Sequence, residues 1–471
     1  MVEAIRLERD HRIRRDGASL RESELLEPGA APGVQIIRRS GGPARRAVAA
    51  LRADALTRSS SLLIVDYLII GLIGAGCSVI AARGWSPHDV GAVAGIGGAT
   101  SLIVGASSNG IASTITRFLG GEENQRGFVL EAVLLAVAIG LGLTAVVCFC
   151  PGHLGVPIGS LGVSDAVAFA LIAAYVTGGI LVGVCDPAFL SRKEVSYAVA
   201  KDIAASLLRI AIIVALIGTG AAGLMFAGTA YVAISGLISL GLVLWRLSTS
   251  PAAARILRLS MIRKRLRFAV GSHTASLMAG VPSALLMTIV AAEFGPVEAA
   301  YVAMPIIVTT YLTIIPQMTS QALLAELAGE GVDVPRTTVR ALRLAYAGTL
   351  PGAILLGALA PYVLLVFGHR YSVHGAALLR WTSAATLFST FNYIGDCVLL
   401  ARQKLAAYNA VNAGGSVAIL VCIFGAIAIG PSWIGPALFV GQILYATCSI
   451  TALLRFGSAS QALSALRTLR R

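Results

Sequence analysis

The sequence predicts an all-α polytopic membrane protein: twelve transmembrane helices in two six-helix lobes related by a pseudo-two-fold axis along the membrane normal. Three observations carry this. Of 471 residues 56% are hydrophobic and only 13% charged, about half the charge that covers a soluble surface. Apolar runs of the length a bilayer requires, about 20 residues, recur along the chain. A weak internal repeat has a period of about 210 residues.

The spans are expected at about 60–82, 89–113, 127–150, 164–186, 202–220, 224–245, 268–292, 297–320, 344–366, 376–400, 407–429 and 433–455. They are continuous and rich in Leu, Ile, Val, Ala and Gly, unlike the short alternating strands of an outer-membrane barrel. Residues 1–59 form a basic tail with twelve arginines and eight acids, too polar for a signal peptide. The tail reads as partly disordered. Within it, 43–58 places Ala47, Val48, Leu51, Ala55 and Leu56 at the spacing of an interfacial helix. The N-terminal lobe is 60–245, a basic linker 246–267, the C-terminal lobe 268–455, and a tail 456–471.

Orientation follows from Lys and Arg, which short cytoplasmic loops retain. Of 37 basic residues, 12 fall in the N-terminal tail, 17 in even-numbered loops, 4 after the last span and two, Arg83 and Arg370, in odd-numbered loops. Both termini are therefore expected in the cytoplasm of a bacterial plasma-membrane protein. The net charge of +14 is explained by this asymmetry and by anionic inner-leaflet lipid, with no nucleic-acid partner required. The seven cysteines lie in or beside apolar runs and read as core residues. Cys148-x-Cys150 has no His or acidic cluster beside it, so no metal site and no cofactor are expected. Loops are too short for a soluble catalytic domain, which predicts a protein that is not an enzyme.

The repeat aligns Asp186 with Asp396 and Arg192 with Arg402 at an offset of 210, and brings Ala81–Val90 opposite Ala291–Glu298. Asp186, just before Pro187, and Asp396 are thus expected to share a structural role such as capping a loop.

Charges within an apolar span are costly, about 2.5–3.5 kcal/mol at the centre, so each requires a reason. Arg209 and Arg380 are the two basic residues left inside spans. Arg209 is expected about eight residues, roughly 12 Å, into the fifth span, as a cavity cation or as the partner of an acid such as Asp66. Its repeat equivalent is Ile419. Arg380 lies about a turn from the outer end of the tenth span, and Arg117 at the inner end of the second. Asn109, Gln317 and Asn392 are candidate cavity residues, or hydrogen-bond links between helices. Asp66, Asp396 and His273 are candidates for a coupling ion or a charge partner. Gly91, Gly95, Gly98 and Gly105 form a small-residue ladder, and Pro282, Pro305 and Pro316 interrupt the seventh and eighth spans.

Ala82-Arg83, Pro87, Asp89-Val90-Gly91, Asn109-Gly110-Ile111 and Thr114-Ile115-Thr116-Arg117 resemble the opening of the polysaccharide-transporter branch of the multidrug/oligosaccharidyl-lipid/polysaccharide exporter superfamily. Phe367-Gly368-His369-Arg370-Tyr371 with Gly375–Arg380 resembles the external segment before helix ten in those proteins. The resemblance implies a flippase that moves a lipid-linked oligosaccharide outward by alternating access. Arg209, Arg380 and Arg117 would then receive its diphosphate, and a glycan polymerase or glycosyltransferases are implied partners. The alternatives are a drug or small-cation antiporter of the same superfamily, centred on Asp66 and Asp396, a membrane glycosyltransferase using an external acid such as Asp89, and a scramblase or scaffold.

Overall fold

The computed structural model describes residues 69–122, 124–150, 155–192, 194–247, 266–327 and 332–456. Twelve long helices account for nearly all of them: α1 (Ile69–Gly84), α2 (Pro87–Phe118), α3 (Gln125–Phe149), α4 (Asp165–Ser191), α5 (Val195–Ala215), α6 (Gly220–Arg246), α7 (Leu266–Glu293), α8 (Pro296–Leu327), α9 (Val334–Ala358), α10 (His369–Ala401), α11 (Leu405–Ile429) and α12 (Ile434–Phe456). Each expected span has its helix. The N-terminal tail with its interfacial segment, the start of the first span including Asp66, and the C-terminal tail lie outside the described residues.

Local chemistry sets several starts. Ser86 caps α2 by accepting from the Asp89 backbone N–H, with Pro87 in the first turn, and Asp333 caps α9 in the same way through Arg336. Gly368, with φ of +133°, turns the chain into α10, a conformation that favours glycine. Several boundaries differ from expectation, and three helix starts by seven residues or more. The α5 helix begins at Val195 instead of 202, because Lys201 and Asp202 are accommodated inside it. The α9 helix begins at Val334, ten residues early, through an Arg-bearing first half that is helical without being apolar. The α10 helix begins at His369, so the segment read as an external loop before residue 376 is already helical.

Among the described residues nine helices are long and apolar enough to span a bilayer on length and composition alone. The α5 helix falls outside that group because Lys201, Asp202 and Arg209 interrupt it. Large apolar residues such as Leu72, Trp245, Leu344 and Val421 remain exposed on the periphery, as lipid contact requires.

The packing repeats between halves. The pairs α2–α4, α3–α4, α4–α6 and α5–α6 recur as α8–α10, α9–α10, α10–α12 and α11–α12. This is the pseudo-two-fold arrangement of two six-helix lobes. One core, with Phe128, Ile172, Ile180 and Val184, lies wholly in the first half. In the second half Leu323, Ala341, Ile394 and Val398 form a separate core near the arginine-rich face. Toward the opposite face the halves share a core that joins Trp85, Val90 and Leu224 to Tyr301, Leu364 and Tyr371.

Glycines permit this closure. A Cβ on Gly91 would stand 1.6 Å from the Pro296 carbonyl oxygen, and one on Gly98 would stand 2.3 Å from that of Ala284. The Thr288 hydroxyl donates to the Gly95 carbonyl at 2.8 Å, and Arg83 Nε donates to the Val366 carbonyl at 2.8 Å. The halves are thus fastened on the face away from the arginines.

Candidate functional site

A cavity of about 660 Å³ lies where α2, α7 and α8 meet, walled by Gly97, Ser101, Asn109, Tyr175, Ser283 and Met287 among others. A second, of about 410 Å³, lies within the second half between α7, α8, α10, α11 and α12, and shares Ser283 and Ile306 with the first. The volumes are in the range of small-molecule sites. Of the ladder glycines of α2, Gly98 and Gly105 line the cavity together with Gly97, while Gly91, Gly95 and Gly98 bring α2 against α7 and α8.

Arg209 sits fourteen residues after Val195 and six before Ala215, about 21 Å along α5, so it lies past the helix midpoint and farther from the helix start than the sequence predicts. Its guanidinium carbon is 5.1 Å from the centroid of the Tyr231 ring, a cation–π distance. Tyr175, Tyr311 and Cys77 are close enough to feel its charge. Its Nε is buried without a hydrogen-bond partner. The arginine therefore stands near three tyrosines drawn from both halves; it lines neither cavity itself, though one of those tyrosines, Tyr175, walls the larger one. Its repeat equivalent, Ile419, walls the smaller cavity.

The other expected residues are more scattered. Asn109 walls the first cavity and Asn392 and Asp396 the second. Arg380 is exposed eleven residues into α10, not one turn from its end, and lines neither cavity. Arg117 is exposed at the end of α2 with its guanidinium 5.5 Å from the centroid of the Phe118 ring. Gln317 is half-buried on α8 and lines neither cavity. His273 is on α7, with its side chain outside the described residues, as is Asp66.

The structure also overturns the capping role expected of Asp186. Here α4 continues through Pro187 to Ser191. The Asp186 carboxylate instead receives Lys201 Nζ at 2.8 and 2.9 Å and the Ser239 hydroxyl at 2.9 Å. Lys201, expected in a cytoplasmic loop, is inside α5 with its side chain 1% exposed, and it also meets Asp202 at 2.9 Å. A buried ammonium is tolerated only with such compensation. Sequence pattern missed it because Lys201 stood at the supposed edge of an apolar run. The available signal was Asp186, fifteen residues earlier on a neighbouring helix.

Asp396 occupies the equivalent place in the second half with different company. Its Oδ1 accepts from Asn412 Nδ2 at 3.0 Å, and Tyr445 donates to Asn412 Oδ1 at 2.7 Å. The position matching Lys201 is Val411, which is buried. Among the described residues Asp396 thus has no cationic partner and faces the second cavity. Beyond it, Asn392 Nδ2 donates to Gln442 Oε1 at 3.1 Å, while Asn392 Oδ1 is buried and unpartnered.

With this geometry in view, solved structures provide the comparison. The chain is similar to an inward-facing multidrug resistance MATE family transporter of the MOP superfamily (TM-score 0.62, 13% identity, covering 84% of this chain and 99% of that one). It is similar to the lipid II flippase MurJ in an inward closed conformation (TM-score 0.69, 12% identity, 86% and 90%). It is also similar to a MOP superfamily transporter from Pyrococcus furiosus whose binding pocket is described as having reversed polarity (TM-score 0.58, 15% identity, 85% and 95%). No protein-family model and no curated protein matches the sequence. The fold is that of these two-lobed twelve-helix transporters.

Proposed function

We propose that this chain is a membrane transporter that carries an amphiphile with an anionic head, a lipid-linked oligosaccharide, from the cytoplasmic to the external leaflet of the bacterial plasma membrane by alternating access. The carrying observation is Arg209: a half-buried guanidinium whose Nε has no hydrogen-bond partner, set over the Tyr231 ring and close enough to Tyr175 and Tyr311 for them to feel its charge. A diphosphate cannot cross hydrocarbon without a compensating charge, and a guanidinium is the side chain best shaped to receive one. The arginine-rich face is taken as cytoplasmic, in keeping with the positive-inside pattern and with anionic lipid there. Fastening on the opposite face leaves the cavities to be entered from the cytoplasmic side. A lipid II flippase among the similar folds agrees with such cargo. Arg117, near the entrance, would meet the phosphate first, while glycan-assembling enzymes would deliver the cargo.

The test is translocation of a fluorescent prenyl-diphosphate glycan in proteoliposomes. Arg209→Ala is expected to lower the rate at least about tenfold, one lost charge-assisted hydrogen bond being worth 1.5–3 kcal/mol, with Arg209→Lys intermediate. An unchanged rate in Arg209→Ala removes this reading.

A second reading, a drug or small-cation antiporter, is favoured by Asp396, a carboxylate on a cavity wall with no fixed cation, and by the MATE transporters among similar folds. It requires ion-driven efflux that Asp396→Asn eliminates. Asp396 is the candidate coupling site in either reading.

A further inference from the structure

The second-half cavity differs chemically from the Arg209 region. Seven serine and threonine hydroxyls face it, Ser283 on α7 and Thr309, Thr310, Thr313, Thr382, Thr386 and Ser389 on α8 and α10. Most of them spend their hydrogen on their own helix: Thr309 donates to Pro305 O, Thr310 to Ile306 O, Thr313 to Thr310 O, Thr386 to Ser383 O and Ser389 to Thr386 O, all within 2.6–2.9 Å. A hydroxyl whose hydrogen is so committed still has lone pairs to offer. The wall consequently presents acceptors.

The carboxamides continue the pattern. Asn392, 5% exposed, turns its nitrogen to Gln442 and leaves Oδ1 buried and unpartnered. Among the described residues no Lys, Arg or His lines this cavity, and the one formal charge there, Asp396, is negative and lies beside Asn412. A phosphate would find no cation here. A ligand rich in hydroxyl donors would find a partner for each.

We infer that this cavity is the binding site for the uncharged, polyhydroxylated sugar unit of the cargo, while the Arg209 region takes the anionic linkage. The inference rests on the flippase reading and deepens it. The acceptors are spread over α8, α10 and α12 instead of being gathered around one carboxylate, which suits a ring carrying several hydroxyls better than a single ammonium. The two cavities adjoin at Ser283 and Ile306, and Tyr175, which feels the Arg209 charge, walls the first, so a head group held at Arg209 would extend through the first cavity into the second.

The test uses the full chain in lipid nanodiscs with two probes, a short-chain prenyl diphosphate and the same lipid bearing a neutral disaccharide. The wild type is expected to bind the glycosylated probe about tenfold more tightly, the sum of one to three net hydrogen bonds. Asn392→Leu, Gln442→Leu and the near-isosteric Thr382→Val should each reduce that ratio toward one while leaving affinity for the bare diphosphate unchanged, which also reports an intact fold. Arg209→Ala should weaken both probes and keep the ratio. Equal binding of the two probes by wild type, or a ratio untouched in all three cavity variants, overturns the inference and leaves the flippase reading standing. Tetraphenylphosphonium binding that Asn392→Leu abolishes overturns it in favour of a cation pocket. Failure of both probes to bind sinks the flippase reading itself.

Discussion

The two halves place a carboxylate at the same point of the fold and treat it differently. In the first, Asp186 is neutralised by Lys201, itself buried and shared with Asp202. In the second, Asp396 receives only the Asn412 amide and faces a cavity. A neutralised carboxylate is a strut, whereas one without a cation is available to a mobile proton or ion. The connections into α5 and α11 differ in parallel. Glu194 bonds Arg246 at 3.0 and 3.2 Å, while its repeat equivalent is Lys404. At this matched position the first half holds a closed ion pair and the second an acid open to a cavity.

The comparison breaks most visibly at Lys201. Lys201→Met strands Asp186 and is expected to cost about 3–5 kcal/mol of stability, read as a large loss of thermal stability in detergent. Adding Asp186→Asn should restore most of it. Asp396→Asn, by contrast, should unfold within a few degrees of wild type while abolishing ion dependence of transport. Equal destabilisation by Lys201→Met and Asp396→Asn would show that the halves do not differ in this way.

A smaller effect tests the face where the halves agree to stay together. Gly91→Ala drives a methyl into the Pro296 carbonyl and should disfavour this closed arrangement by about 1–3 kcal/mol, as overpacking does. A cysteine pair across the outer ends of α2 and α8 should cross-link less readily in that variant.

The smallest is pH-dependent. The Arg246 hydrogen bond, with burial opposing and Arg192 adding, holds the Glu194 carboxyl below its ordinary value. A group depressed in the folded state contributes stability above its unfolded pKa of about 4.3 and loses it as pH falls through the folded value. Glu194→Gln should therefore shift stability at neutral pH by no more than about 1 kcal/mol, and the difference from wild type should begin to fall as pH drops below about 4.3 and vanish once it passes the lower folded value. Lys404→Gln should show no such acid-dependent difference.

Much of this was legible in the residues. Apolar runs located all twelve helices, and the offset of 210 put Asp186 and Asp396 at one topological place. The glycine ladder marked where α2 meets α7 and α8. What escaped was whatever depends on neighbours. Hydropathy ends a span at a charge, so Lys201 and Asp202 trimmed the start of α5 and put Arg209 before the helix midpoint instead of past it. Arg380 read as a cavity residue because periodicity gives no direction in a helix apolar on most sides. The tyrosines around Arg209 come from α4, α6 and α8, and no spacing along one helix could gather them.

The fastening of α2 to α8 near one end of each has a mechanical meaning. Helices of 32 residues are about 48 Å long, so a contact near one end makes each a long lever. Tilting such a lever by ten degrees about Gly91 sweeps its far end by roughly 7 Å. A doorway wide enough for a sugar can therefore swing at the arginine-rich face while the atoms at the pivot scarcely move.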